Sequence, residues 1–160
     1  MTTRRRWVIS SPVGYLGITV DGDELVSVEP GLPGPETRFP DELLEAVEKE
    51  FKLYFEGTLG EFSVPVKRPT EATAYAHKVW DSLLSIPYGE TVTYGQLAKA
   101  VGGSPRGIGR ACKTNNLAII IPCHRVVAAS GLGGYGGDWE EGKAISVKKW
   151  LLEMEKEYSG

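Results

Sequence analysis

The spacing of apolar residues in this 160-residue chain switches once, from a strand period to a helix period, and that switch limits the folds open to it. Trp7 to Ile9, Tyr15 to Val20 and Leu25 to Val28 read as three short strands. Pro12-Val13-Gly14 and Asp21-Gly22-Asp23 separate them as turns. Glu29 to Pro40 holds four prolines and two glycines and reads as a loop. From Asp41 the pattern becomes helical: Leu43, Leu44, Val47, Phe51, Tyr54 and Phe55 recur at helix spacing, with Asp41 as N-cap and Gly57 at the end. Residues 58–70, with Gly60, Pro65 and Pro69, read as a linker.

Beyond it the helix period persists. Ala72 to Ile86 predicts a helix with Tyr75, Val79, Leu83 and Leu84 inward. Thr93 can cap a second helix, Tyr94 to Val101, and Gly102-Gly103 a turn. Ser104-Pro105 then places a cap and a first-turn proline at the head of a third helix running to about Thr114. Two short helices joined by a glycine turn form a helix-turn-helix pattern. Ser146 to Tyr158 is a final amphipathic helix with Val147, Trp150, Leu151 and Met154 inward. The expected organisation is an α/β fold in two domains. Residues 1–68 form an antiparallel sheet with one helix, and residues 69–160 form a mostly helical domain.

Charge divides at the same place. The net charge of −3 excludes a strongly basic, tail-like nucleic-acid binder. Yet residues 1–68 carry 8 basic and 12 acidic side chains, and residues 69–160 carry 10 and 9. No acid occurs from Thr91 to Gly137, a span that holds Lys99, Arg106, Arg110, Lys113 and Arg125. A positive field beside a helix-turn-helix suits a phosphate backbone, although solvated bases on a neutral stretch are the plainer reading. The third helix also carries Gly107 and Gly109, each costing about 1 kcal/mol against alanine in a helix interior. Such small residues serve either close approach of DNA or a tight helix crossing within the domain.

The only cysteines are Cys112 and Cys123, and the only histidines His77 and His124, so no three- or four-ligand Cys/His zinc site is expected. No apolar run reaches about 18 residues, and the basic start is followed by a stretch broken by Ser, Pro and Gly. These features predict a soluble protein of a reducing compartment, cytoplasmic, or nuclear in a eukaryote. Cys123 follows an apolar run and Pro122 and precedes His124 and Arg125. A neighbouring base or cation can make it a nucleophile; a buried core thiol is the commoner case. In an extended chain Cys123 and His124 point to opposite sides, so a direct pair requires the chain to turn there, or a bridging water.

Ile119 to Val127, IIIPCHRVV, resembles the acceptor signature of the O6-alkylguanine-DNA alkyltransferases. Ile86 to Ala98 is similar to that family's helix-turn-helix entry, and Ser104 to Asn115 to its recognition helix and following turn. The GGY ending at Tyr135 and the KKWLLEME ending at Glu155 resemble its glycine loop and last helix, and SPVGYLGITV its first strands.

The resemblance implies a ribonuclease-H-like first domain, a winged helix-turn-helix in the second, and DNA repair in a single, self-inactivating turn without cofactor. A methyl or small alkyl group leaves O6 of guanine, with O4 of thymine a second candidate, in duplex DNA bound by a monomer. Cys123 is the implied acceptor, His124 its base through a water, Glu155 the group orienting His124, and Asn115 the residue holding the turn. Arg106 fills the gap left by the flipped base. Tyr94 helps rotate the nucleotide and donates to the base. Gly107, Arg110, Lys113 and Arg125 line the DNA. Tyr94, Ser130, Tyr135 and Gly136 line the substrate pocket. By residue spacing alone, Tyr94 is equally a core aromatic and Glu155 a solvated carboxylate. Asn116 replaces the family's usual proline, which loosens the turn, and the long acidic stretch Asp138 to Glu141 either narrows the alkyl range or is plain surface. A helix-turn-helix module that binds lesions without chemistry, or a Cys-His hydrolase, are the competing classes.

Overall fold

A computed structural model of the chain describes residues 3–131 and 143–159. It is α/β, with one three-stranded antiparallel sheet and five α-helices among the described residues. The chain divides into two compact units: residues 1–69 with 116–120, and residues 70–115 with 121–160. No helix among the described residues is long and apolar enough to cross a membrane.

In the first unit, β1 (Arg4–Ile9), β2 (Tyr15–Asp21) and β3 (Glu24–Leu32) pair in chain order. Alternation puts Trp7, Ile9, Leu16, Ile18 and Val20 into the core. Helix α1 (Glu42–Phe55) buries Leu44, Val47, Phe51 and Tyr54. Asp41 caps it, accepting the Leu44 N–H at 3.0 Å. The same carboxylate takes Arg5 Nε at 2.6 Å, tying the helix start to β1.

The sheet reaches further than its apolar pattern. β3 runs through Pro30 into the stretch expected to be loop; it is an edge strand of the three-stranded sheet, the place in a sheet where a proline is tolerated. Part of the expected linker is likewise sheet-bound: the Leu25 N–H donates to Pro65 at 2.8 Å and the Lys67 N–H to Leu25 at 2.9 Å. Residues 116–120 also join this unit, with the Val28 N–H donating to the Asn116 carbonyl at 2.8 Å. Ile119, inside that segment, holds φ 74°, a left-handed conformation that costs a β-branched residue about 1–3 kcal/mol.

The second unit is built on α2 (Ala74–Leu84), α3 (Tyr94–Val101), α4 (Pro105–Lys113) and α5 (Lys143–Ser159). Thr93 and Gln96 close a reciprocal capping box at α3, at 3.0 and 2.9 Å. Gly102 and Gly103, at φ 91° and 87°, make the α3–α4 turn in a region other residues avoid. Ser104 caps α4 through the Gly107 N–H at 3.1 Å. Buried Trp80 fixes α2 to α4 by donating its indole N–H to the Ala111 carbonyl at 2.9 Å. Leu84, expected inward, is 47% exposed, because α2 ends there and the last turn leaves the core. A short parallel pair joins β4 (Val92–Thr93) to β5 (Val126–Val127), so the entrance of α3 is tied to the chain just after Cys123.

Candidate active site

Proline 122 ends the apolar run, and the next three residues, Cys123 to Arg125, form one turn of 3-10 helix. The chain therefore turns where an extended one would have put Cys123 and His124 on opposite sides. All three side chains are buried, Cys123 at 4% exposure and His124 at 0%. Asn115, in the turn after α4, donates its amide to the Ile121 carbonyl at 2.9 Å and to Cys123 Sγ at 3.2 Å. One side chain thus holds the backbone before the thiol and solvates the sulfur itself.

Glu155 projects from α5 into the same interior and is fully buried. Its Oε2 meets His124 Nε2 at 2.6 Å and Arg125 Nη2 at 3.0 Å. Its Oε1 accepts Arg125 Nε at 2.8 Å and the Gly89 N–H at 3.2 Å. Burial alone would raise this carboxyl, but the hydrogen bonds and charges of His124 and Arg125 outweigh it and hold it well below the usual carboxylate range. An ionised carboxylate only accepts, so His124 Nε2 carries the hydrogen and Nδ1 keeps a basic lone pair. Nδ1 is buried and has no hydrogen-bond partner among the described residues. Burial lowers the His124 pKa in spite of Glu155, so the imidazole stands neutral.

Contact with Cys112 and burial together push the Cys123 thiol well up, and the Asn115 amide and the Lys148 charge oppose them. Lys148 is itself fully buried, with Nζ 2.6 Å from the Val126 carbonyl and 5.7 Å from the centre of the Tyr94 ring. Burial pushes Tyr94 up to about 12.

The expected DNA-facing residues separate in two. Arg106, Arg110 and Lys113 are exposed on α4 at spacings of four and three, one stripe of the helix. A Cβ at Gly109 would meet nothing within 4 Å, and one at Gly107 only ordinary contact with Tyr75 and Ser104. Among the described residues, then, no tight internal crossing requires these glycines. Arg125 is a correction. It is 6% exposed, and its guanidinium is taken by Glu155 and by the Ile86 carbonyl at 2.8 Å, so it does not line DNA. Ser130 is exposed. Tyr135, Gly136 and the acidic stretch Asp138 to Glu141 lie outside the described residues. Lys148 escaped the sequence reading because nothing in its neighbours distinguishes it from solvated Lys149.

Folding should respond to pH through this cluster. Below about pH 6.5 the unfolded chain protonates its histidine while the folded chain resists, so stability falls as pH falls. Glu155 adds a second loss in the same direction, starting below about pH 4.5 and complete once the pH passes its lowered folded value. Thermal unfolding midpoints should therefore drop between pH 7 and pH 5, and His124→Gln should flatten that part of the curve. A flat wild-type profile there would contradict a buried neutral His124.

The profile of the 6-O-methylguanine DNA methyltransferase DNA-binding domain matches residues 74–157. The methylated-DNA–protein-cysteine methyltransferase of Mycobacterium tuberculosis is 40% identical over 157 residues, covering 92% of this chain and 90% of its own. The crystal structure of O6-methylguanine methyltransferase from that organism superposes with a TM-score of 0.82 at 33% identity, covering 98% of this chain and 95% of the other. A crystal structure of Mycobacterium tuberculosis OGT in complex with DNA matches with a TM-score of 0.78 at 36% identity over 94% and 92% of the two chains.

Proposed function

This chain belongs to the methylated-DNA–protein-cysteine methyltransferases, DNA-repair proteins that take an alkyl group from DNA onto a cysteine, and on that premise we propose that Cys123 is its acceptor and O6-alkylguanine its substrate. The observation that carries the assignment is the ordered set around one buried thiol: Asn115 on the sulfur, and His124 fixed by Glu155 with a basic Nδ1 to spare.

In the proposed sequence the Cys123 proton passes through a water to His124 Nδ1. The thiolate lone pair forms the S–C bond as the C–O6 bond breaks, and the electron pair stays on the guanine. Tyr94 donates a proton to the leaving base, and the proton held by His124 restores the balance. The protein ends as a thioether and the DNA as unmodified guanine, so each molecule acts once. O4 of thymine, bearing the same alkyl–oxygen bond, is a second donor. Because a stacked O6-alkyl group cannot be approached in line, the base must leave the duplex.

Arg106, Arg110 and Lys113 would meet the DNA from α4, with Gly107 allowing close approach. We read the first unit as ribonuclease-H-like and the α3–α4 pair as part of a winged helix-turn-helix, and the protein as a monomer of the cytoplasm, or of the nucleus in a eukaryote.

Incubation with a duplex bearing one O6-methylguanine tests the reading by mass. Gain of one methyl, mapped to Cys123, supports it; no gain with a reactive thiol refutes it. Arg106 has its own test. If it fills the gap left by the flipped base, Arg106→Ala should slow transfer from duplex DNA by about tenfold or more, the scale of an uncompensated unstacking, while leaving reaction with the free methylated base nearly unchanged. Equal slowing of both removes that role.

A further inference from the structure

Cys112 has no part in the relay, yet the chain's only other cysteine stands beside the acceptor. It lies in the last turn of α4 at 6% exposure, and Cys123 Sγ is 3.9 Å from its carbonyl oxygen. The two thiols are free and in contact with each other. Three ties hold them in place. Trp80 fixes the neighbouring Ala111 carbonyl at 2.9 Å, and the Cys112 carbonyl accepts the Asn115 N–H at 3.2 Å. The Asn115 side chain in turn holds the Ile121 carbonyl and Cys123 Sγ. Both sulfurs belong to one compact unit, so no movement between units is needed to join them. A core thiol needs no second sulfur in order to pack, whereas two sulfurs held together are the starting geometry of a disulfide.

We infer that Cys112 is a resolving thiol for the acceptor: it closes a disulfide on Cys123 once a hydroperoxide has oxidised that sulfur, and so keeps the acceptor in a recoverable state. The consequence for repair rests on the reading of Cys123 as acceptor; the sulfur chemistry does not. The features that ready Cys123 for an alkyl group, an amide donor on Sγ and a base in the same turn, also ready it for peroxide. In the first step the Cys123 thiolate attacks hydrogen peroxide. The S–O bond forms as the O–O bond breaks, leaving a sulfenic acid, and the thiol proton ends on the departing hydroxide as water. In the second step Cys112 attacks the Cys123 sulfur. The S–S bond forms, the S–O bond breaks, and hydroxide leaves with the Cys112 proton as a second water. Two thiols and one peroxide thus give one disulfide and two waters, and the product is the same when Cys112 takes the oxygen first. A sulfur that acts once is lost for good if it gains further oxygens, because thiols do not reduce sulfinic or sulfonic acids. A disulfide stops oxidation before that point, and thiol exchange reverses it.

The test treats the folded full chain with hydrogen peroxide, blocks the remaining free thiols and digests with trypsin in the absence of reductant. Cleavage after Arg110, Lys113 and Arg125 separates the two cysteines. A disulfide therefore appears as the joined peptides Ala111–Lys113 and Thr114–Arg125, from a protein of monomer mass less two hydrogens. Methyl uptake from O6-methylguanine duplex should fall in step with the joined peptide and return nearly in full with dithiothreitol. Cys112→Ala, normal in uptake before oxidation, should instead carry sulfinic and sulfonic acid on Cys123 and recover about tenfold less uptake, or worse. Wild-type protein that yields no joined peptide, with Cys123 either over-oxidised or untouched, overturns the inference. A disulfide found only between two chains overturns it too, as does Cys112→Ala losing and recovering uptake like the wild type. If Cys112→Ala does not fold, the wild-type peptide map decides alone. Wild-type protein that takes no methyl before oxidation strikes the repair reading and leaves the peptide map to judge Cys112.

Discussion

Cys123→Ala should bind O6-methylguanine duplex and take nothing from it: no methyl on the protein and no guanine restored in the DNA. The expected loss is complete because the sulfur is both nucleophile and final acceptor, and no neighbouring group supplies a second route. Cys112 lies close enough for a thiol–thiol contact, but the acceptor's arrangement is not built around it. The Asn115 amide reaches Cys123 Sγ, and the His124–Glu155 pair stands in the turn that carries Cys123. Cys112→Ala should therefore keep stoichiometric transfer. The fold should survive the Cys123 change, since removing one buried sulfur costs about 1 kcal/mol and the Asn115 amide keeps its bond to the Ile121 carbonyl. Intact binding with no adduct is thus a loss of chemistry and not of structure. An adduct that persists in Cys123→Ala would move the acceptor elsewhere and dissolve the site described above.

What was legible in the sequence follows from the range of the interactions involved. Asp41, Thr93 and Ser104 cap their helices as expected, because a cap is decided by atoms three residues away. The turn at Gly102-Gly103 was legible for the same reason. The extension of β3 through Pro30 and the pairing of Lys67 and Asn116 with the sheet were not: the first shows only once Tyr15 of β2 lies opposite Leu32, and the other two depend on segments brought in from far along the chain. Charged residues show the limit most clearly. Arg125 sits in a stretch without acids and so reads as a base facing phosphate. Its carboxylate is 30 residues away, and only the fold brings it in. Lys148 reads as surface for the same reason, with the Val126 carbonyl 22 residues distant. Glu155 was picked out by family resemblance, because a helix end rich in Glu and Lys offers no local sign that one carboxylate is internal.

Glu155→Gln should be the most damaging single-atom exchange in the second unit. Glu155 accepts from four donors: His124 Nε2, Arg125 Nε and Nη2, and the Gly89 N–H. A glutamine offers one acceptor oxygen and one NH2, so whichever way it turns, its amide faces donors, and the buried Arg125 loses its counter-charge. Breaking one side of a buried pair costs about 3–5 kcal/mol, which for a chain of this length lowers the unfolding midpoint by roughly 6–20 °C. Activity should fall separately, by about 100-fold or more, because His124 loses the partner that fixes its hydrogen on Nε2 and leaves Nδ1 basic. The two effects can be divided. Adding Arg125→Met removes the stranded cation and should recover much of the stability, since the remaining conflict is between neutral groups. It should recover little of the transfer rate, because the His124 contact is still wrong. Calorimetry and single-turnover methyl transfer on the two single variants and the double variant read both quantities. If Glu155→Gln melted like the wild type, the four-donor arrangement would be absent. If the double variant regained both stability and rate, Glu155 would serve Arg125 alone, and His124 would owe its orientation to something else.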